Sequence, residues 1–186
     1  MERLKMKDLC LKITDGEHGS VKDDVNGEYF FLNNNNIEDF GIVVSNRDRR
    51  ISKESFDNMC KRVALRYGDL VIATCGTLGK NTVIRDEHIN YTFSRSVGII
   101  RCDETKLLPE YLHYYLSLDS TQKRIETCSK GGVQKHFYIS DMEDFEIDCP
   151  DIDTQKRIVG ILRTIDEKIR CNNQINDNLA QSAKVA

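Results

Sequence analysis

The tail constrains this sequence most. From Asp153 to about Val185 there is no proline, and the last glycine is Gly160. Ile158, Leu162, Ile165, Ile169, Asn172, Asn176 and Leu179 follow one another at steps of 4, 3, 4, 3, 4 and 3, which is a heptad seam. The pattern predicts a helix of about 30 residues, roughly 45 Å long at 1.5 Å per residue. Such a helix outruns the surface of a small domain. Each seam Ile or Leu gains about 1.5–3 kcal/mol on full burial, so the seam needs a partner helix. Asn172 and Asn176 weaken the seam, while polar seam residues fix register and partner number. The competing expectation is a terminal helix laid wholly against its own domain.

The preceding 150 residues read as mixed strands and helices with many turns. Residues 5–13 predict a strand lead-in ending in the polar turn "TDGEHGS". "GEYFFL" predicts a strand that stops at Asn33–Asn36, where asparagine competes with regular backbone pairing. "GIVV" is a further short strand. "SKESFDNMCKRVA" predicts a helix capped by Ser52, with Phe56, Met59, Cys60 and Val63 on one face. The β-branched runs "LVIAT", "NTVIRD" and "SRSVGIIRC" predict three strands. Pro109 opens a helix that buries Leu108, Leu112, Tyr115 and Leu116, and a second helix spans roughly 120–129. Residues 140–143 have the form of a capping box, and "FEIDCP" is a strand ended by Pro150. The expected fold class is α+β.

"GDLVIATCGTLGKNTVI" resembles a nucleotide-binding loop, with a strand, a glycine turn and a Gly-Lys pair. The pattern fails in detail. A P-loop places glycine five residues before its second glycine and Ser or Thr after its lysine. Here those positions hold Thr74 and Asn81. The residues after Lys80 are strand-like, so no helix N-terminus faces a phosphate. The stretch predicts a hairpin instead, with strands 70–74 and 81–85 and a turn at 75–80 in which Gly76 and Gly79 supply positive φ.

Other chemistries lack their motifs. The sequence has no G-x-S-x-G and no H-E-x-x-H, and its only prolines are Pro109 and Pro150. The seven cysteines contain no C-x-x-C pair, which argues for reduced thiols in a cytosolic protein. The four histidines show no metal spacing. No apolar run is long enough to span a membrane, and the charged N-terminus does not read as a secretory signal. Net charge is −3, but it is uneven: residues 45–101 carry 11 Lys and Arg against 6 Asp and Glu, while the flanking blocks are acidic. The local field decides where a polyanion docks.

In order along the chain, "YFFLNNNNIED", "ISKESFD", "GDLVIATCGTLGK", "LLPEYLHYYLSL" and "GGVQKHFYISDMEDFEIDCPDIDTQKRIVGILRTIDEKI" resemble the specificity (S) subunit of Type I restriction–modification systems. The resemblance covers nearly the whole chain. It implies a strand-rich DNA target recognition domain over 1–150 and a long spacer or dimerisation helix over 151–186 that pairs as a coiled coil. Full-length members carry two such units, so this chain resembles a half-subunit. The resemblance implies a non-catalytic subunit that reads half of a bipartite site in double-stranded DNA and holds methyltransferase subunits, which a restriction subunit can join. It implies no cofactor on this chain and S-adenosylmethionine on the methyltransferase partner. It further implies a cytoplasmic protein that pairs with itself or with another half-subunit. The alternative is a regulatory or decoy half-subunit that pairs through its helix without reading DNA.

Phosphate contacts need Lys, Arg and small polar groups, and base edges are read by Arg, Lys, Asn or Gln. Four loops offer them: Arg47, Arg49 and Arg50; Thr77 and Lys80; Ser94 and Arg95; and Lys130, Gln134, Lys135 and His136. The hairpin turn and the last loop are the leading candidates. Solvated surface charge is the competing account for each.

Overall fold

The computed structural model describes residues 2–131 and 135–185. Gly132, Val133 and the expected DNA contact Gln134 lie outside the described residues. The elements are β1 (Glu2–Lys5), α1 (Met6–Leu9), β2 (Cys10–Asp15), β3 (Tyr29–Leu32), β4 (Ile37–Glu38), β5 (Gly41–Ile42), β6 (Arg49–Ile51) and α2 (Lys53–Arg62). They continue with β7 (Leu70–Ala73), β8 (Asn81–Val83), β9 (Tyr91–Phe93), β10 (Val97–Cys102), α3 (Pro109–Ser117), α4 (Asp119–Cys128), α5 (Ile139–Glu143), β11 (Glu146–Cys149) and α6 (Ile152–Val185). The fold is mixed α+β, with a strand-rich domain followed by the long helix α6.

The centre is an antiparallel sheet in the order β2-β10-β7-β8. All four residues of β7 are buried, which requires both faces of the sheet to be covered. Leu70 and Ile72 point to a core shared with Ile100, Leu112, Leu116, Phe137 and Met142. Val71 and Ala73 point to a second core with Leu32, Phe93 and Ile99. The alternation is the period of two that a strand imposes. A second sheet, β6-β3-β9, covers that second face. Its β3–β9 pair is parallel, Phe30 opposite Tyr91 and Leu32 opposite Phe93, a long-range pairing with no signal in local sequence.

Most expected elements are present where the residue patterns place them. Ser52 caps α2, its Oγ accepting from Ser55 N at 3.2 Å. The asparagine run forms a 3₁₀ turn, in which Asn33 accepts from Asn35 N and Asn36 Oδ1 from Asn33 N at 3.0 Å. Two expectations are corrected. The lead-in strand over 5–13 is broken by α1, because Met6 and Leu9 are both buried and their spacing of three suits a helical turn. The capping box over 140–143 does not form. Here α5 begins at Ile139 with no side-chain cap, and Ser140 lies within its first turn.

Three features anchor the base of α6. Strand β1 pairs antiparallel with β11, the strand just before the helix. Gln155, fully buried, accepts from Leu108 N at 2.9 Å and donates to the carbonyls of Lys106 and Pro150, each at 2.8 Å. Asp151 caps the helix, its carboxylate accepting from Thr154 N and Thr154 Oγ1, both at 2.9 Å. These bonds hold the Asp151 carboxyl below its ordinary pKa.

Candidate nucleic-acid interface

The stretch 74–80 joins β7 to β8 as a hairpin turn. Gly76 and Gly79 have φ of +69° and +82°, the left-handed region that only glycine enters without strain. Gln122 pins the turn from α4, its Nε2 donating to Gly79 O at 3.1 Å and to Leu116 O at 2.6 Å. A hairpin held this way presents Thr77, which is exposed, from a fixed support.

Thr74 draws three of the candidate loops together. Its N–H donates to Ser96 O at 2.9 Å, its Oγ1 donates to Arg95 O at 3.2 Å, and its carbonyl accepts from Phe137 N at 2.9 Å. Lys130 exchanges both backbone hydrogen bonds with His136, at 3.1 and 2.9 Å, as an isolated antiparallel bridge. The hairpin turn, the 94–96 turn and the His136–Phe137 segment therefore meet at Thr74. Sequence reading did not single out Thr74. Its available signal is a polar residue closing an otherwise apolar buried strand.

Two clefts are lined by residues of these loops. One, of about 1140 Å³, is walled by Thr77 and Lys80 of the turn, by Lys135, by α3 and α4, and by Asp166, Ile169 and Asn173 of α6. The other, of about 720 Å³, is lined by Arg95, Ser96 and His136, with Tyr138, Thr74, Cys75 and the Asp15–His18 pair. His18 Nε2 lies 2.6 Å from Asp15 Oδ2. The His136 and Tyr138 rings stack at 5.7 Å with 23° between planes, and Tyr138 is half exposed. His18 and Tyr138 were also missed, since nothing local marks the polar turn or the residue before α5 as parts of a cleft.

The cations differ in how they are engaged. Arg95 is exposed, and its guanidinium makes no hydrogen bond or ion pair among the described residues. Lys80 pairs with Glu38 at 2.7 Å, Lys130 with Asp141 at 3.0 Å, and Lys135 Nζ donates to Glu126 O at 3.0 Å. The partly exposed Lys80–Glu38 pair contributes about 0–1 kcal/mol, so a phosphate can displace Glu38 at small cost, whereas Asp141 is only 13% exposed. The Ser94 and Ser96 hydroxyls share a hydrogen bond of 2.8 Å.

The fourth loop is not brought to this surface. Arg49 donates to Asp23 at 2.8 Å and to Val21 O at 2.8 Å and lies 5.0 Å over Phe31. Arg50 donates to Gly27 O at 3.1 Å and lies 5.0 Å over Phe30. Both fasten the 21–27 segment to β3 and β6. Arg47, beside them, is exposed. His113, on the wall of the larger cleft, donates Nδ1–H to Asn81 Oδ1 at 2.9 Å, because an amide oxygen can only accept. Burial pushes its pKa down, so it is neutral at pH 7 and adds no positive charge.

The seam residues divide. Ile158 and Val159 pack against the main core, and Leu162 is half-buried. Ile165, Ile169 and Leu179 are exposed at 49%, 44% and 63%, and Asn172 and Asn176 are exposed beside them. Ile161 and Ile175, at 66% and 50%, widen the stripe. The helix thus docks through one face and carries its apolar stripe roughly 90° away, at 3.6 residues per turn.

The family described as Type I restriction modification DNA specificity domain matches residues 1–181. The EcoBI specificity subunit of Escherichia coli, a Type I restriction enzyme component, is 30% identical over 119 residues, covering 64% of this chain and 25% of that protein. The HindI specificity subunit of Haemophilus influenzae is 26% identical over 124 residues, covering 65% of this chain and 27% of that protein. The chain spans about a quarter of the length of these curated relatives. Among solved structures, the S subunit from M. genitalium is similar with a TM-score of 0.61 and 19% identity, over 91% of this chain and 40% of that one. A chain of a type I R-M system assembly is similar with a TM-score of 0.67 and 18% identity, over 91% and 39%. At these identities the structures establish likeness of fold.

Proposed function

The chain belongs to the Type I restriction modification DNA specificity domain family, and from that footing we propose that it is a DNA-recognition half-subunit. In this reading the strand-rich domain binds one half of a bipartite duplex target through the surface built around Thr74. Arg95 and His136 face the DNA from one cleft, and Thr77, Lys80 and Lys135 from the other. The chain performs no chemistry itself. It positions methyltransferase subunits, which supply S-adenosylmethionine, and a restriction subunit can join the assembly in the cytoplasm. Two copies, or this chain and a different half-subunit, pair through α6. Antiparallel helices related by a twofold axis place the two domains at opposite ends, and an identical pair then reads a palindromic, interrupted site with the helices as its ruler.

One observation carries this reading: three loops of separate origin converge at Thr74. The test is duplex binding by the chain assembled with its methyltransferase partner. Affinity should fall steeply with salt as phosphate counterions are released. Arg95→Ala together with Lys80→Ala should weaken binding at least tenfold while pairing of the helices persists. Binding that is insensitive to salt and to both substitutions would contradict the reading and favour a half-subunit that pairs without touching DNA.

A further inference from the structure

Between Ile152 and Leu162 the helix α6 is held by the buried Gln155 and by apolar packing of Ile158 and Val159. Farther along, the support changes character. Tyr114 of α3 donates its hydroxyl to Asp166 Oδ2 at 2.6 Å. One turn later the Arg170 guanidinium lies 5.2 Å over the Phe40 ring, at the tip of the β4–β5 turn. Between these contacts and the domain is a polar cavity of about 80 Å³ rather than a packed core. The same face of the helix thus meets two side-chain latches from two different parts of the domain. From Arg170 onward the helix is exposed through Ser182 and Ala183.

We propose that Tyr114–Asp166 and Phe40–Arg170 are positioning contacts that fix the angle at which α6 leaves the domain, and that they thereby restrict the interval between half-sites that the paired protein accepts. This rests on the recognition reading above. The argument is one of leverage. The 15 residues beyond Arg170 extend about 22 Å. A tilt of about 9° moves the far end of such an arm by about 3.4 Å, one base step along a strand. Helix length alone then underdetermines the interval, because an arm free to tilt by that much would accept neighbouring spacings. Two latches of different chemistry, one turn apart, resist tilt in a way that a single contact cannot.

The experiment maps methylated sites in genomic DNA from cells carrying this chain with its methyltransferase partner, as wild type, as Tyr114→Phe with Arg170→Ala, as Phe40→Ala and as Phe40→Tyr. The wild type should methylate one interrupted motif with a single interval. The double variant and Phe40→Ala should keep the same half-site sequences and raise by at least tenfold the methylated fraction of sites whose interval differs by one base pair. Phe40→Tyr, which keeps the ring, should retain the single interval. Should the double variant fail to fold, Phe40→Ala, on an exposed turn, decides alone. A single unchanged interval in the folded variants overturns the latch while leaving DNA recognition intact. A wild-type chain that directs methylation to no interrupted site overturns the recognition reading itself.

Discussion

The domain and the outer half of α6 are built from the same aliphatic residues and treat them in opposite ways. In the domain Leu70, Ile72, Ile100 and Leu112 are fully buried. On the helix Ile161, Ile165, Ile175 and Leu179 recur on one side and remain 49–66% exposed. Burial of each is worth about 1.5–3 kcal/mol, so the domain completes its stability within one chain and the helix does not. Polar residues show the same contrast. Asp69, 1% exposed, is bound at 2.7 Å by both Nε and an Nη of Arg101, whereas Arg163 and Glu167 of α6 form an exposed pair at 3.1 Å. The difference teaches that the loops around Thr74 stand on a closed, buried core, while the outer half of α6 leaves an apolar stripe uncovered.

The contrast can be sharpened by substitution. Asp69→Ala leaves Arg101 unpaired and strips the acceptor from Arg66 N. A broken buried pair costs about 3–5 kcal/mol, and urea unfolding should show a loss in that range. Gln155→Ala attacks the joint between the two regions, leaving the Leu108 amide without its partner and the carbonyls of Lys106 and Pro150 with only the weak Cys149 thiol donor. At about 1–3 kcal/mol for the unsatisfied buried groups, unfolding should show a smaller loss, accompanied by faster hydrogen exchange at Leu108 and in the first turns of α6.

A pH scan addresses the wall of the larger cleft. Burial lowers the pKa of His113 in the folded chain below its ordinary value of 6.5. Below that value the unfolded chain binds the proton first, so stability should decline as pH falls from about 6.5 toward the folded-state pKa and level off beneath it. His113→Gln should flatten that part of the profile. An equal slope in the variant would assign the effect to other groups.

Much of the framework is readable from sequence because it rests on local rules. The hairpin at 75–80 follows from its two glycines, α2 from Ser52, and α6 from its unbroken period. What escaped was set by partners far away in the chain. Arg49 and Arg95 look alike in sequence, yet one is locked to Asp23 and Val21 O while the other faces a cleft. Thr74 gains its role only because residues 95, 96 and 137 reach it. The side on which α6 docks is fixed by Gln155, a polar residue whose partners lie on either side of α3 and β11. An apolar period alone cannot distinguish the face that meets the domain from the face left exposed.

Sedimentation equilibrium tests the central claim most directly. If the stripe on α6 is an interface, the wild-type chain should sediment at about twice its mass of 21.4 kDa, because paired helices cover the isoleucines. Ile165→Asp with Ile169→Asp should give the single-chain mass while the urea midpoint of the domain moves little, since exposed substitutions shift stability by about 0.5 kcal/mol or less. A wild type that sediments as a single chain, or a double variant that keeps the doubled mass, would contradict the account.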